Sequence, residues 1–210
     1  MSVALVKIWG ETVGAVAWDK TQELATFEYA PEFKSLAWDI SPIKMPLSDS
    51  RNQFSFPELR RQKNQMFNTF KGLPGLLADV LPDRYGNQLI NAWLAKQGRQ
   101  PDSMNPVEML CFIGSRGLGA LEFEPLLFQE PKRAFIIEME SLVDLAQNML
   151  TNKDNFKTNI NDKRQDAVEQ IIKIGTSAGG ARPKAIIAWN EKTGEVKSGQ
   201  TMRPQVSNIG

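Results

Sequence analysis

The chain has 210 residues, 41% of them apolar, and its 25 Lys and Arg nearly balance its 24 Asp and Glu. That length buries one or two cores, and the near-neutral balance supplies no overall field that would hold the chain on nucleic acid or an anionic membrane. Histidine is absent and cysteine occurs once, which excludes Ser-His-Asp and Cys-His nucleophile arrangements, an intramolecular disulfide and the ordinary zinc ligand sets.

The opening residues, MSVALVKIWG, lack the basic-then-apolar order of a secretory signal, so the mature chain is expected to begin near Met1. No apolar run approaches the ~18 residues of a membrane span. Residues 3–18 (VALVKIWGETVGAVAW) hold two short β-rich runs separated by Gly10-Glu11, the spacing of a hairpin, and Leu24–Tyr29 supplies a third strand. Pro42, Pro46 and Pro57, with a Ser/Asp/Arg/Asn cluster among them, make residues 39–57 mostly extended chain and loop. Helical signals begin over residues 58–71 and sharpen over 84–97, where Leu89, Ile90, Trp93 and Leu94 share one face and Gly98 follows the end. Asn105-Pro106, with Glu108 three residues after the asparagine, marks a further helix start running through residues 109–113 to Gly114. Cys111 sits in that apolar run and reads as a small buried hydrophobe rather than a nucleophile, which suits a reducing cytoplasm. The SRGLGALEF segment then turns back into a strand.

Residues 128–133 (FQEPKR) form a polar, proline-bearing break, expected to separate a first unit, residues 1–127, from a second, residues 128–210. Ser141 is placed to cap a helix ending at Leu150, and residues 152–161 (NKDNFKTNIN) have the composition of a polar linker. Asp162 caps a helix with Ala167, Val168, Ile171 and Ile172 as its buried stripe and Gly175 at its end. A strand over 184–189, a turn over 190–194 and a weaker strand near 195–198 follow. The fold class predicted is α+β: a β-rich N-terminal subdomain with packed helices, then a helix, loop and antiparallel sheet.

Chemistry concentrates in residues 174–189, IGTSAGGARPKAIIAW. Gly175, Ser177, Ala178, Gly179, Gly180 and Ala181 are small enough to let main-chain N–H groups approach an anion. Gly175 and Gly180 keep the spacing of the two Walker-loop glycines, but Ala181 and Arg182 stand where that loop carries Lys and Ser or Thr, which disfavours a complete small ATPase. The loop instead follows a helix and feeds a strand, the order in which kinases cover nucleotide phosphates with a glycine-rich flap. Arg182 and Lys184 are cations beside such a cradle. On composition alone, the same glycines serve equally well to end a helix and begin a tight turn. In residues 72–86 (GLPGLLADVLPDRYG), Asp83 and Arg84 have the chemistry of an acid and a phosphate clamp, but the favoured reading is a helix-start acid and a structural ion-pair partner. Trp9, Trp18, Trp38, Trp93 and Trp189 fall mainly in strand or amphipathic-helix patterns and are expected in the core rather than on a platform for stacking bases.

Four ordered blocks resemble the HipA family of bacterial kinases. VKIWGETVGAV (residues 6–16) resembles its opening hairpin, and GLPGLLADVLPDRYG its central G-L-P…D-x-L-P-D/E signature. NPVEMLCFIGSRGLGALEFEP (residues 105–125) resembles its I-G-x-x-x-x-G-A-L stretch, and SAGGARPKAIIA (residues 177–188) its S-x-x-G-A-x-x-K loop. The resemblance implies a cytoplasmic serine/threonine kinase toxin of a toxin–antitoxin pair, using ATP and Mg²⁺ on a protein substrate, in the best-known case an aminoacyl-tRNA synthetase. It implies restraint by a DNA-binding, HipB-like antitoxin, so that DNA is met only through that partner, and no membrane contact. It also implies that residues 128–210 begin a protein-kinase-like N-lobe. Carried over by position, the phosphate loop comprises Ser177, Ala178, Gly179, Gly180, Ala181 and Lys184, and Ser177 matches the serine that the family phosphorylates on itself. A phosphoserine there adds about two negative charges where the triphosphate belongs, which disfavours the loop-in state. Arg182 and Pro183 occupy variable places and receive no role.

The departures lie after Lys184. Nothing there matches the strand lysine that meets the α- and β-phosphates, the histidine-bearing catalytic loop or the Mg²⁺-binding Asp. No catalytic residue and no metal ligand is therefore assigned, and the chain is expected to be the front part of a longer kinase, inactive alone and without tightly bound cofactor. The other reading is a free-standing binding module that docks on and regulates a separate HipA-like kinase chain. The glycine loop argues against that, because a split-off front domain is expected to stop near Phe128.

Overall fold

The computed structural model describes residues 2–60, 69–117, 119–128, 169, 171–173 and 187–198. Strand β1 (Ser2–Ile8) turns Ala4, Val6 and Ile8 inward and leaves Val3 and Leu5 exposed, the period-two alternation of a strand with one covered face. It joins β2 (Glu11–Asp19) through a two-residue tip, Trp9 and Gly10, with φ of +52° and +91°. Positive φ at both central positions defines the turn whose twist matches that of the flanking strands. The turn lies one residue earlier than the sequence predicts, because Glu11 already pairs with Ile8.

Further along the hairpin the register slips: Val6 faces Gly14 while Lys7 faces Thr12, which leaves Val13 as a bulge. Only glycine fits beside it, since a Cβ on Gly14 would lie 2.0 Å from the Glu28 carbonyl oxygen. β3 (Leu24–Tyr29) falls on the predicted residues and pairs with β2.

Two short elements have no counterpart in the sequence prediction. Helix α1 (Pro31–Ser35) starts from extended Ala30 with proline in its first turn and buries Phe33. Strand β4 (Gln53–Ser55) adds to β3 at one edge. With β5 (Leu121–Glu124) on β1, the sheet is antiparallel throughout in the order β4-β3-β2-β1-β5. One face is covered by Leu73, by Leu77 of α2 (Gly75–Ala78), and by Val107, Leu110 and Cys111 of α4 (Pro106–Ile113). They form one cluster with Phe27, Tyr29, Phe33, Phe54 and Phe123 of the sheet side. Each large apolar side chain so buried contributes about 1.5–3 kcal/mol by leaving water.

The helix expected over 58–71 is not formed at its start. Pro57–Leu59 make a single 3-10 turn, and Arg60 leaves it with ψ of 145°. Residues 61–68 lie outside the described residues, as do the expected elements over 141–150, 152–161 and 162–168.

The chain divides into two units, one of Met1–Leu81 with Asp102–Phe128 and one of Pro82–Pro101 with Gln129–Gly210. The first holds the five-stranded sheet. The second contains α3 (Arg84–Lys96), one residue shorter than predicted, with Leu89, Ile90 and Leu94 buried. Lys96 Nζ meets Glu169 Oε1 at 2.5 Å, and helical Ile171 and Ile172 are buried as their spacing predicts. Strands β6 (Ile187–Trp189) and β7 (Val196–Ser198) pair as an antiparallel hairpin. The architecture is α+β.

Candidate functional site

All six residues assigned to the phosphate loop, Ser177, Ala178, Gly179, Gly180, Ala181 and Lys184, lie outside the described residues, as do Arg182 and Pro183. What brackets them is described. Helical residues 171–173 precede the loop, and the β6–β7 hairpin follows it. The turn of that hairpin is held by Asn190, whose Oδ1 accepts the Lys192 and Thr193 N–H groups at 3.0 and 3.3 Å, with Gly194 at φ +70°.

The central G-L-P block acts structurally. Gly72, at φ +75°, presents its carbonyl to the Ala25 N–H at 2.8 Å, docking this segment on β3. A Cβ at Gly72 would lie 2.6 Å from the Glu23 carbonyl oxygen and 3.2 Å from the Trp18 ring. Asp83 is the helix-start acid: its Oδ1 accepts the Gly86 N–H at 2.8 Å and caps α3, while Arg84 is exposed. Next to it, burial pushes the Tyr85 hydroxyl up to about 12, with the Asp83 charge adding to the effect.

The third block closes the first unit. Asn105 Oδ1 accepts the Glu108 N–H at 3.0 Å and Glu108 Oε2 accepts the Asn105 N–H at 3.1 Å, a reciprocal capping box. Asn105 Nδ2 also donates to Ser2 Oγ at 2.8 Å, which ties the start of α4 to β1. Beyond α4 the chain turns at Gly114, φ +59° and ψ −123°, and Phe123 N–H donates back to the Gly114 carbonyl at 3.2 Å.

Arg116, 3% exposed, is the one fully buried charged side chain among the described residues. Its guanidinium lies 5.1 Å from the Phe112 ring centre and 4.5 Å from that of Phe128, and it donates to the Phe112 carbonyl oxygen. Ring faces and a carbonyl thus replace water around the cation and clamp the 114–128 segment onto α4. Sequence reasoning missed this residue, because Ser115-Arg116-Gly117 has the composition of an ordinary exposed turn. Burial holds the Cys111 thiol up at about 11, with Glu108 adding to it, so the thiol behaves as packing.

The prediction of core tryptophans fails at three positions. Trp18 is buried and Trp93 half-buried, but Trp9 is 73%, Trp189 63% and Trp38 39% exposed. Trp9 lies on the hairpin tip rather than in a strand, and Trp38 follows α1 in a loop. No group of three His, Cys, Asp or Glu among the described residues is placed to hold a metal ion, and no described helix is long and apolar enough to cross a membrane.

The sheet, the docked G-L-P segment and the capped α4 are the structural counterparts of the first three sequence blocks. A family model of the HipA N-terminal domain matches residues 4–124, more than half of the chain. The chain belongs to that family. The match spans the first two blocks and all but the last residue of the third, while the fourth lies beyond it. No curated protein matches the chain.

Proposed function

We propose that these residues are the N-terminal part of a HipA-like serine/threonine kinase toxin, with residues 177–184 covering the phosphates of ATP and Ser177 as the switch that releases them. The observation that carries this reading is the family match over residues 4–124, with helical residues 171–173, a stretch of small-residue composition and an antiparallel hairpin following it in chain order. That order is the one in which a kinase N-lobe begins and covers nucleotide phosphates. Main-chain amides of Gly179, Gly180 and Ala181 hold the anion, and Lys184 adds a positive charge at its rim. Phosphate on Ser177 competes for the same amides and repels the triphosphate.

Mg²⁺ and the catalytic base belong to parts of a kinase that these 210 residues do not match, so the chain alone binds ATP weakly and transfers no phosphate. The partners of this reading are the C-terminal kinase part, a cytoplasmic protein substrate and a HipB-like antitoxin through which DNA is met indirectly. Amide NMR during titration with ATP tests it. The expected result is movement confined to residues 177–184 and weakened several-fold by Lys184→Ala. Unmoved amides in that loop at saturating ATP contradict it.

A further inference from the structure

The β1–β2 hairpin carries a tryptophan where its backbone disfavours one. Trp9 occupies the first central position of a two-residue turn at φ +52° and is followed by Gly10. Left-handed backbone is uncommon for a bulky side chain, and asparagine before glycine is the strongly preferred pair for this turn. Burial does not offset that cost, since Trp9 is 73% exposed. Its ring meets Trp38 edge to face, centres 5.7 Å apart, and Trp38 in turn meets the buried Phe33 at 6.2 Å. Trp38 itself follows Ala37, another left-handed residue at φ +57°. Two unfavourable backbone positions therefore lift two indoles to the surface, anchored through Phe33 in the core. Strain retained without burial points to a use for the exposed rings.

The charges around the pair select its occupant. Glu11 follows the turn and Asp39 follows Trp38, both exposed. On the helix before Trp38, Lys34 donates to the neutral Asn52 Oδ1 at 2.7 Å and keeps its charge, which acts on the Asp49 carboxylate, and on the hairpin Lys7 pairs with Glu124 at 2.9 Å. The unit that holds the pair has 10 Lys and Arg against 13 Asp and Glu, a net charge of −3, although the whole chain is +1. Acidic surroundings repel nucleic-acid phosphates and attract cations, and among cations the planar guanidinium stacks best on an indole face.

We propose that the Trp9–Trp38 pair is a docking site for an arginine-bearing segment of a partner protein. This surface is independent of the phosphate loop, and its failure leaves the nucleotide reading standing. The test follows the indole N–H signals of the full chain by NMR during titration with a short Arg-Gly repeat peptide, a matched Glu-Gly peptide and a short oligothymidylate. Only the arginine peptide is expected to move the Trp9 and Trp38 signals. Trp9→Asn, which suits the turn, is expected to keep or raise the Tm while weakening the peptide roughly five- to ten-fold. Asp39→Lys, at an exposed position, is expected to weaken it as well. Absent movement, a preference for the oligothymidylate, movement on raising the protein concentration alone, or undiminished binding by both variants overturns the proposal.

Discussion

Tyr29 links the aromatic core to the loop after α1: it is buried, and its hydroxyl donates to the Met45 carbonyl at 2.9 Å. Burial, with the Asp39 charge adding, pushes that hydroxyl up to about 12, where Tyr85 also lies. Unfolded tyrosine loses its proton near pH ~10, so between that value and about 12 the folded state binds more protons than the unfolded one. Stability is then complete below pH ~10 and falls as pH rises through the window. Urea midpoints across this range, with tyrosinate absorbance as the second reading, are expected to show the loss. Tyr29→Phe should cost about 1 kcal/mol at neutral pH and diminish the alkaline loss. Gly14→Ala, driven against the Glu28 carbonyl, is expected to cost about 3 kcal/mol in the same measurement. At this scale legibility followed locality. Asp83 and Cys111 were readable because a cap and an apolar run are local patterns, whereas Arg116 and Trp9 were not. Whether a side chain is enclosed or lifted out depends on Phe128 and Trp38, residues distant in sequence.

Elements with strong periodicity or caps stand where the sequence puts them. β3 matches to the residue, α3 differs by one residue at its end, and α4 begins at Pro106, capped by the asparagine whose spacing to Glu108 announces a capping box. Removing that cap with Asn105→Ala should destabilise the fold by about 1 kcal/mol, read as a lower urea midpoint with unchanged slope. The contact with Ser2 Oγ is lost with it, so Ser2→Ala alone is expected to reproduce only a small part of the effect. Unreadable elements were too short to carry a period: α1 has five residues and β4 three, and both exist because neighbouring strands and Phe33 packing hold them. The bulge at Val13 was hidden for a related reason. An extra residue shifts the alternation without leaving a gap in the apolar pattern. The helical start over 58–60 failed because the apolar spacing there was matched by Leu59 docking in a single 3-10 turn, and Arg60 is extended.

On the scale of the whole chain, the α+β class and the family were both legible, because ordered blocks such as G-L-P and the Asn105 cap are the residues that hold the five-stranded sheet to its helices. Residues 177–184 are legible only as composition and as a resemblance, since small side chains carry little packing information of their own. The described β6–β7 hairpin comes after them in the chain. On the proposed reading, a protein that is silent while free of its antitoxin carries phosphate on its own nucleotide loop. Phosphosite mapping by mass spectrometry of the protein recovered from its own cells reads this directly. In cells that lack the antitoxin, phosphate on Ser177 is the predicted result; a protein that is silent there with Ser177 wholly unmodified contradicts it.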